Sequence, residues 1–519
     1  MRQLKNPLLP GFYPDPSICR VGDDFYMVTS SFSYFPGVPV FHSRDLCHWE
    51  QIGHCLSRPE QLPLDWQHIS GGIYAPTIRW HDGLFYMVTT NVSHGGNFYV
   101  TAEDPAGPWS DPHYIEGAEG IDPTIFWDED GTVYMTATTD WAEHKPGVWI
   151  ARLDLAQNRI AGERRIVWQG AMVNAWSPEA PHIYRKEGWY YLMIAEGGTE
   201  DYHAVTIARS RDILGPYEGY PGNPILTHRH LGLNYPICNV GHGDLVQLQD
   251  GSWYMVALAS RLYGGYHKNM GRETFVAPVD WSGEWPVVSP GTGRVEWTYP
   301  APALPEYPFA PADQDDFRAL CWNTLGTPAP ETFTIADGAL TLRSHQDWLV
   351  PDDLPRTPAP NGCPGFFARR QQHMCFDASV TVRVPETGEA GMLLLQHGFN
   401  HLRVGVSRTE AGVRIRAVRS EKCGKPDYLH PREYPRHVDV LWEGSCVENT
   451  VTVGIGALGQ RYCLTVNGER VAEADGSFLG SETAGGFVGA YVGCYVSGCG
   501  AEAMFTGFRY HGEESACQE

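Results

Sequence analysis

YPDPSICRVGDDFYMVTSS, residues 13–31, is the first of five copies of one phrase. The others are YAPTIRWHDGLFYMVTTN (74–91), IDPTIFWDEDGTVYMTATT (121–139), SPEAPHIYRKEGWYYLMIAEGG (177–198) and GHGDLVQLQDGSWYMVALAS (241–260). Each copy has a small or acidic residue beside proline or glycine, a short apolar strand, a polar turn, then an aromatic strand. Aligning the copies matches Asp15, Ala75, Asp122, Glu179 and, more loosely, Asp244, at spacings of 60, 47, 57 and 65 residues. A repeat of that length, alternating β-branched and aromatic residues, reads as one propeller blade of about four strands. Equivalent positions of a closed ring converge on its axis. The architecture therefore predicts Asp15, Asp122 and Glu179 at one end of a central channel.

Length sets the next expectation. A chain of 519 residues exceeds a single core of about 250–300 residues, so two domains are predicted. The repeats end near Ala259, and RLYGGYHKNMGRETFVAPVDW from Arg261 completes the last blade. A proline-rich linker follows over 289–314. From Asp315 short alternating strands such as ASVTVRVPE, HLRVGVSR and GGFVGAYVGCYVSG imply an antiparallel β-sandwich. The predicted division is 1–312 for the propeller and 313–519 for the sandwich, an all-β chain.

Lys and Arg number 38 against 61 Asp and Glu, a formal net charge of −23. Such a surface repels nucleic acid and anionic lipid, so neither is an expected partner. No apolar run approaches the roughly 18 residues that span a bilayer. The start, MRQLKNPLLPGFYPDPS, lacks an apolar signal segment, so a cytoplasmic location is expected. Thirteen cysteines without CxxC pairs read as reduced thiols, with Cys494 and Cys499 as two glycine-flanked buried ones.

Two carboxyl groups flanking a glycosidic bond are the usual apparatus of glycoside hydrolysis, one protonated and one ionised. A third close by raises the acid's pKa by like-charge repulsion. Pro16 and Pro123 follow Asp15 and Asp122, and proline is expected to hold the preceding residue extended. An Asp-Pro pair alone also starts strands as an Asx turn; three carboxylates at one repeat position favour the chemical reading. Phe32 and Tyr74, just beyond blade starts, are candidates for an aromatic wall against the C–H faces of a sugar, with core packing as the alternative.

These residues carry a resemblance. GFYPDPS, SSFSYFPGVPVFHSRDL, GGIYAPTIRW, GIDPTIF, SPEAPHIY, EGGTEDYHAVTIARS, GHGDLV and MGRETF resemble glycoside hydrolase family 43, most nearly its β-xylosidase and α-L-arabinofuranosidase branch. The resemblance implies a five-bladed propeller, an appended β-sandwich and an inverting mechanism. It implies Asp15 as general base, Glu179 as general acid and Asp122 as the residue that tunes and orients the acid. It further implies that Arg272 binds substrate hydroxyls near the acid and Asp122, and that Thr199 and Phe32 line the glycone pocket. Phe487 would reach the pocket rim from the sandwich. His242 would sit at the channel centre, where relatives hold a calcium ion or water; no cofactor is required. Relatives commonly have tryptophan where this chain has Tyr74, which bears on sugar preference.

The activity implied is exo-hydrolysis of β-1,4-xylo-oligosaccharides, with α-L-arabinofuranosides as further substrates. The alternatives are a predominant α-L-arabinofuranosidase and a sugar-binding propeller without catalysis, which would lack one of the three carboxylates. The Asn-Asp-Pro-Asn opening of retaining fructosidases is missing from the sequence. A homo-oligomer is compatible with everything above.

Overall fold

The computed structural model describes residues 2–64, 69–139, 146–173, 176–262, 265–310, 313–345, 363–422 and 436–513. Five four-stranded antiparallel sheets follow one another along the chain. Their first strands are Ser17–Val21, Thr77–His81, Thr124–Trp127, Glu179–Lys186 and Ile237–Gln247, and these line the centre of a five-bladed propeller. The aromatic half of each repeat forms the second strand. Its period of two turns Met27, Met87, Met135, Leu192 and Met255 inward, all wholly buried between blades.

The ring is strapped by its own ends. Gln3–Lys5 pairs antiparallel with Thr298–Pro300, so the segment read as an aperiodic linker contains a strand. The Asn6 side chain donates to the carbonyls of Val276 and Glu296, each at 2.8 Å.

The C-terminal domain is a β-sandwich of an eight-stranded and a seven-stranded sheet. Its core holds Trp322, Phe367, Phe376 and Phe505 with a row of Val and Leu. The expected boundary at about residue 312 lies outside the described residues. Among the described residues ten cysteines are free thiols, and Cys499 is exposed rather than buried. Cys375 is disulfide-bonded, which corrects the expectation of reduced thiols throughout.

The eighth strand of the larger sandwich sheet comes from the propeller. Tyr34–Phe35 pairs with Asn323–Leu325, with Phe35 opposite Thr324 and Tyr34 opposite Leu325. Around this seam one apolar cluster draws on both domains: Phe12, Phe32 and Tyr34 from the propeller, Phe366, Leu393, Tyr491 and Tyr495 from the sandwich. Tyr34 and Tyr491 stack with ring centroids 3.7 Å apart. The buried Arg370 guanidinium donates to the Phe12 carbonyl at 2.6 Å and to Asn323 at 3.0 Å.

Exposing such a seam costs about 1.5–3 kcal/mol for each large apolar side chain returned to water. A chain ending near residue 312 is therefore expected to aggregate, or to melt well below the full chain. Soluble yield and thermal unfolding measure this; a monodisperse fragment with the full chain's Tm would show the seam to be dispensable.

Candidate active site

Strand register defines the channel mouth more sharply than the sequence alignment does. Ser17, Thr77, Thr124, His182 and Asp244 pair with Val28, Val88, Thr136, Met193 and Val256, the same place in each second strand. Two residues earlier stand Asp15, Ala75, Asp122, Ala180 and His242. So Glu179 is one residue ahead of the equivalent position and Asp244 two residues beyond it, and the fifth blade presents His242. Register irregularities after Glu179 and around Gly241 account for the offset. Asp15, Asp122, Ala180 and His242 have φ of 55°, 57°, 51° and 48°. The expectation that proline holds the two aspartates extended is thus overturned. Left-handed backbone at a non-glycine residue costs of order 1–3 kcal/mol and persists where surrounding structure enforces it.

That enforcement is visible around Asp15. Glu273, wholly buried in MGRETF, accepts from the Gly11 N–H at 2.6 Å, and Thr274 donates to the Tyr13 carbonyl at 2.6 Å. Gly11 has φ +90°, and a Cβ there would lie 2.8 Å from the Gln371 carbonyl oxygen. The carboxylate itself accepts from Arg272 Nη1 at 2.8 Å and from Ser30 Oγ at 2.5 Å. Burial pushes the Asp15 carboxyl up, but the Arg272 guanidinium, His242 and the Ser30 hydroxyl outweigh it and hold it below the ordinary carboxylate range.

Asp122 and Glu179 have the opposite environment. Burial raises both, each repels the other or Asp15, and Arg272 only partly offsets this. The pair therefore retains a proton at pH values where Asp15 is ionised. Asp122 Oδ2 accepts from the Ala180 N–H at 3.2 Å, which ties it to the start of the strand that carries Glu179. One mouth thus holds one carboxyl pushed below the ordinary range and two pushed above it.

Arg272 is buried; its direct carboxylate partner is Asp15, and it also lies within electrostatic reach of Asp122 and Glu179. It also donates to Thr199 Oγ1 at 3.1 Å and to the Phe487 carbonyl at 3.2 Å. Its guanidinium lies 5.4 Å from the Phe32 ring centroid and 5.9 Å from that of Phe487. Phe32 is 2% exposed, a buried support rather than an open stacking face, and packs 5.2 Å from Tyr74 and 5.5 Å from Phe12. Tyr74 is half-buried within electrostatic reach of all three carboxyls; burial pushes its hydroxyl's pKa up. Phe487 is 40% exposed, and its N–H donates to Ser70 Oγ at 2.9 Å. A cavity where propeller and sandwich meet is lined by Thr199, Asn239, Gly271, Arg272, Gly486 and Phe487.

Below the mouth the channel is filled. Asp244 accepts from Ser17 at 2.7 Å, from Arg79 at 2.8 and 3.1 Å, and from Tyr184 at 2.6 Å. Arg79 also reaches His182, which contacts Thr124 at 3.1 Å, and Thr124 contacts Thr77 at 3.0 Å. Every blade contributes to this layer, so Asp244 belongs to the plug and not to the mouth.

His242 holds the fifth blade's place at the mouth, its Nδ1 3.6 Å from Asp15 Oδ1. Burial keeps the ring below the usual imidazole range. Calcium takes six to eight oxygen ligands. The carboxylate nearest His242 is already paired with Arg272, and among the described residues no group of three or more His, Cys, Asp or Glu could hold a metal ion. Direct side-chain ligation of calcium does not fit this arrangement.

Sequence reasoning missed Ser30 and Ser70. Both are short hydroxyl residues in strand-flanking segments and carry no motif of their own. It also missed His203, whose ring packs 2.4 Å from where a Gly241 Cβ would stand, which is why position 241 is glycine.

Comparison with known proteins agrees with this geometry. Residues 4–286 match Glycosyl hydrolases family 43, and residues 314–511 match the Beta xylosidase C-terminal Concanavalin A-like domain. A xylosidase/arabinosidase of Butyrivibrio fibrisolvens is 41% identical, over 95% of this chain and 96% of its own. A non-reducing end α-L-arabinofuranosidase of Bacteroides ovatus is 38% identical, over 96% and 92%. Among solved structures, a xylan β-1,4-xylosidase from Bacillus halodurans superposes with a TM-score of 0.86 at 31% identity, over 98% of this chain and 99% of its own. The chain belongs to glycoside hydrolase family 43.

Proposed function

We propose that this protein is an inverting exo-glycosidase that releases xylose from the non-reducing ends of β-1,4-xylo-oligosaccharides and also cleaves α-L-arabinofuranosides. The observation that carries this reading is the convergence at one mouth of Asp15, bonded to Arg272 and Ser30, with the buried Asp122 and Glu179, whose carboxyls burial raises. Ionised Asp15 takes a proton from water, which attacks the anomeric carbon. Glu179 gives its proton to the departing oxygen from the other side of the ring. Asp122 repels the charge that Glu179 would acquire and, through the Ala180 N–H, positions the start of the strand that bears it. Arg272 keeps Asp15 ionised in a buried site, and with Thr199 it is placed to meet substrate hydroxyls. Exo action is supported by the plug beneath the mouth and by Phe487 beside it.

The Bacteroides ovatus relative supports a second reading, in which arabinofuranoside cleavage predominates. Comparing kcat/KM for nitrophenyl β-xyloside and nitrophenyl α-L-arabinofuranoside separates the two. A cytoplasmic location is part of the proposal, supported by the ten free thiols among the described residues and opposed by the disulfide at Cys375. For the stereochemistry, proton NMR during xylobiose cleavage is expected to show α-xylose as the first anomer of the released non-reducing unit. Initial release of β-xylose from that unit would mean a retaining mechanism.

A further inference from the structure

The acid that protonates a leaving group faces that group, so whatever stands on the outer side of Glu179 meets the departing sugar. Two large aromatic side chains stand in the adjoining segments and remain half open to solvent. Trp176, three residues before Glu179, is 50% exposed, and Tyr202 is 59% exposed. Their rings pack edge to face with centroids 5.3 Å apart.

The Gly197-Gly198-Thr199 turn fixes their position. The Gly197 N–H donates to the Trp176 carbonyl at 2.7 Å. A Cβ at Gly198 would lie 2.9 Å from Trp176 Nε1, and one at Gly197 would lie 2.2 Å from the Tyr202 carbonyl oxygen. Gly197 and Gly198 both have positive φ, +90° and +70°. Only a residue without a side chain allows this close approach. The same turn continues into Thr199, the acceptor for Arg272, so the aromatic pair and the charged floor of the pocket share one short piece of backbone.

We propose that Trp176 and Tyr202 form the platform that binds the leaving sugar. A pyranose ring offers a flat C–H face to aromatic carbon and keeps its hydroxyls in water, which is what a half-exposed indole beside a phenol accommodates. The platform selects a second sugar ring over a small alcohol in the leaving position, and so sets a preference for oligosaccharides over simple alkyl xylosides. This rests on the glycosidase reading above.

The test compares kcat/KM for xylobiose with that for methyl β-xyloside in the wild type and in Trp176→Ala, Tyr202→Ala and Trp176→Phe. The xylobiose-to-methyl ratio is expected to fall about tenfold in Trp176→Ala, mostly through KM for xylobiose, and several-fold in Tyr202→Ala. Trp176→Phe, which keeps a flat ring, is expected to recover most of it. If Trp176→Ala does not fold, Tyr202→Ala and Trp176→Phe decide. A ratio within twofold of wild type in the alanine variants, whatever the common loss on both substrates, overturns the platform alone. A wild type that hydrolyses neither xyloside overturns the xylosidase reading and the platform with it.

Discussion

Asp15→Asn is expected to abolish hydrolysis of xylobiose and of nitrophenyl β-xyloside alike, by about 10³-fold or more, on the scale of losing a general base and the charge that orients the attacking water. Both substrates need activated water, so a better leaving group gives no relief. The acidic limb of the pH–rate profile should disappear with the side chain. That limb lies low in the wild type because Arg272 and Ser30 hold the Asp15 carboxyl below the ordinary carboxylate range despite its burial. The same shift is a stability term: the ionised carboxylate stabilises the fold at neutral pH, and that contribution fades as pH falls through the lowered pKa. The neutral amide would also leave the Arg272 cation without its counter-charge. Circular dichroism of the variant is the control, since a folded protein with wild-type rates would remove Asp15 from the reaction.

Glu179→Gln should discriminate between substrates. A sugar alkoxide departs only with a proton, whereas nitrophenolate leaves with little help. Xylobiose cleavage is therefore expected to fall by about 10²–10⁴-fold while the nitrophenyl xyloside is spared far better. The sign of the pH effect follows from the pair. Burial and repulsion from Asp122 and Asp15 raise the Glu179 carboxyl, so wild-type activity is lost as pH rises through that raised pKa. The variant should lose this basic limb. If Glu179→Gln abolishes both substrates while Asp15→Asn spares the aryl glycoside, the two roles are reversed.

The blades were legible because a strand writes its period into the sequence, and five copies of that pattern leave one architecture. Asp15 and Asp122 were legible because each precedes a proline at a repeat start. Their left-handed backbone was not, since proline disfavours the helical region without dictating a positive φ. The one-residue offset of Glu179 and the replacement of Asp244 by His242 arise from register irregularities, which a gap-free alignment of PEAPH and GHGD conceals. Arg272 was found through its motif, but its partner depends on which way a long side chain turns in a crowded site. The shared sheet was out of reach altogether. Nothing in Tyr34–Phe35 or in Asn323–Leu325 marks either as the other's partner.

The filled layer of Asp244, Arg79, His182 and the blade hydroxyls makes the propeller channel a dead end. Under the proposed reaction the sugar cut from the chain is the innermost product, with the remainder of the oligosaccharide between it and solvent. Its exit waits for that remainder to depart through the same opening. The shortened chain must therefore dissociate after every cut and cannot be threaded forward, so degradation is distributive, with each turnover a new encounter.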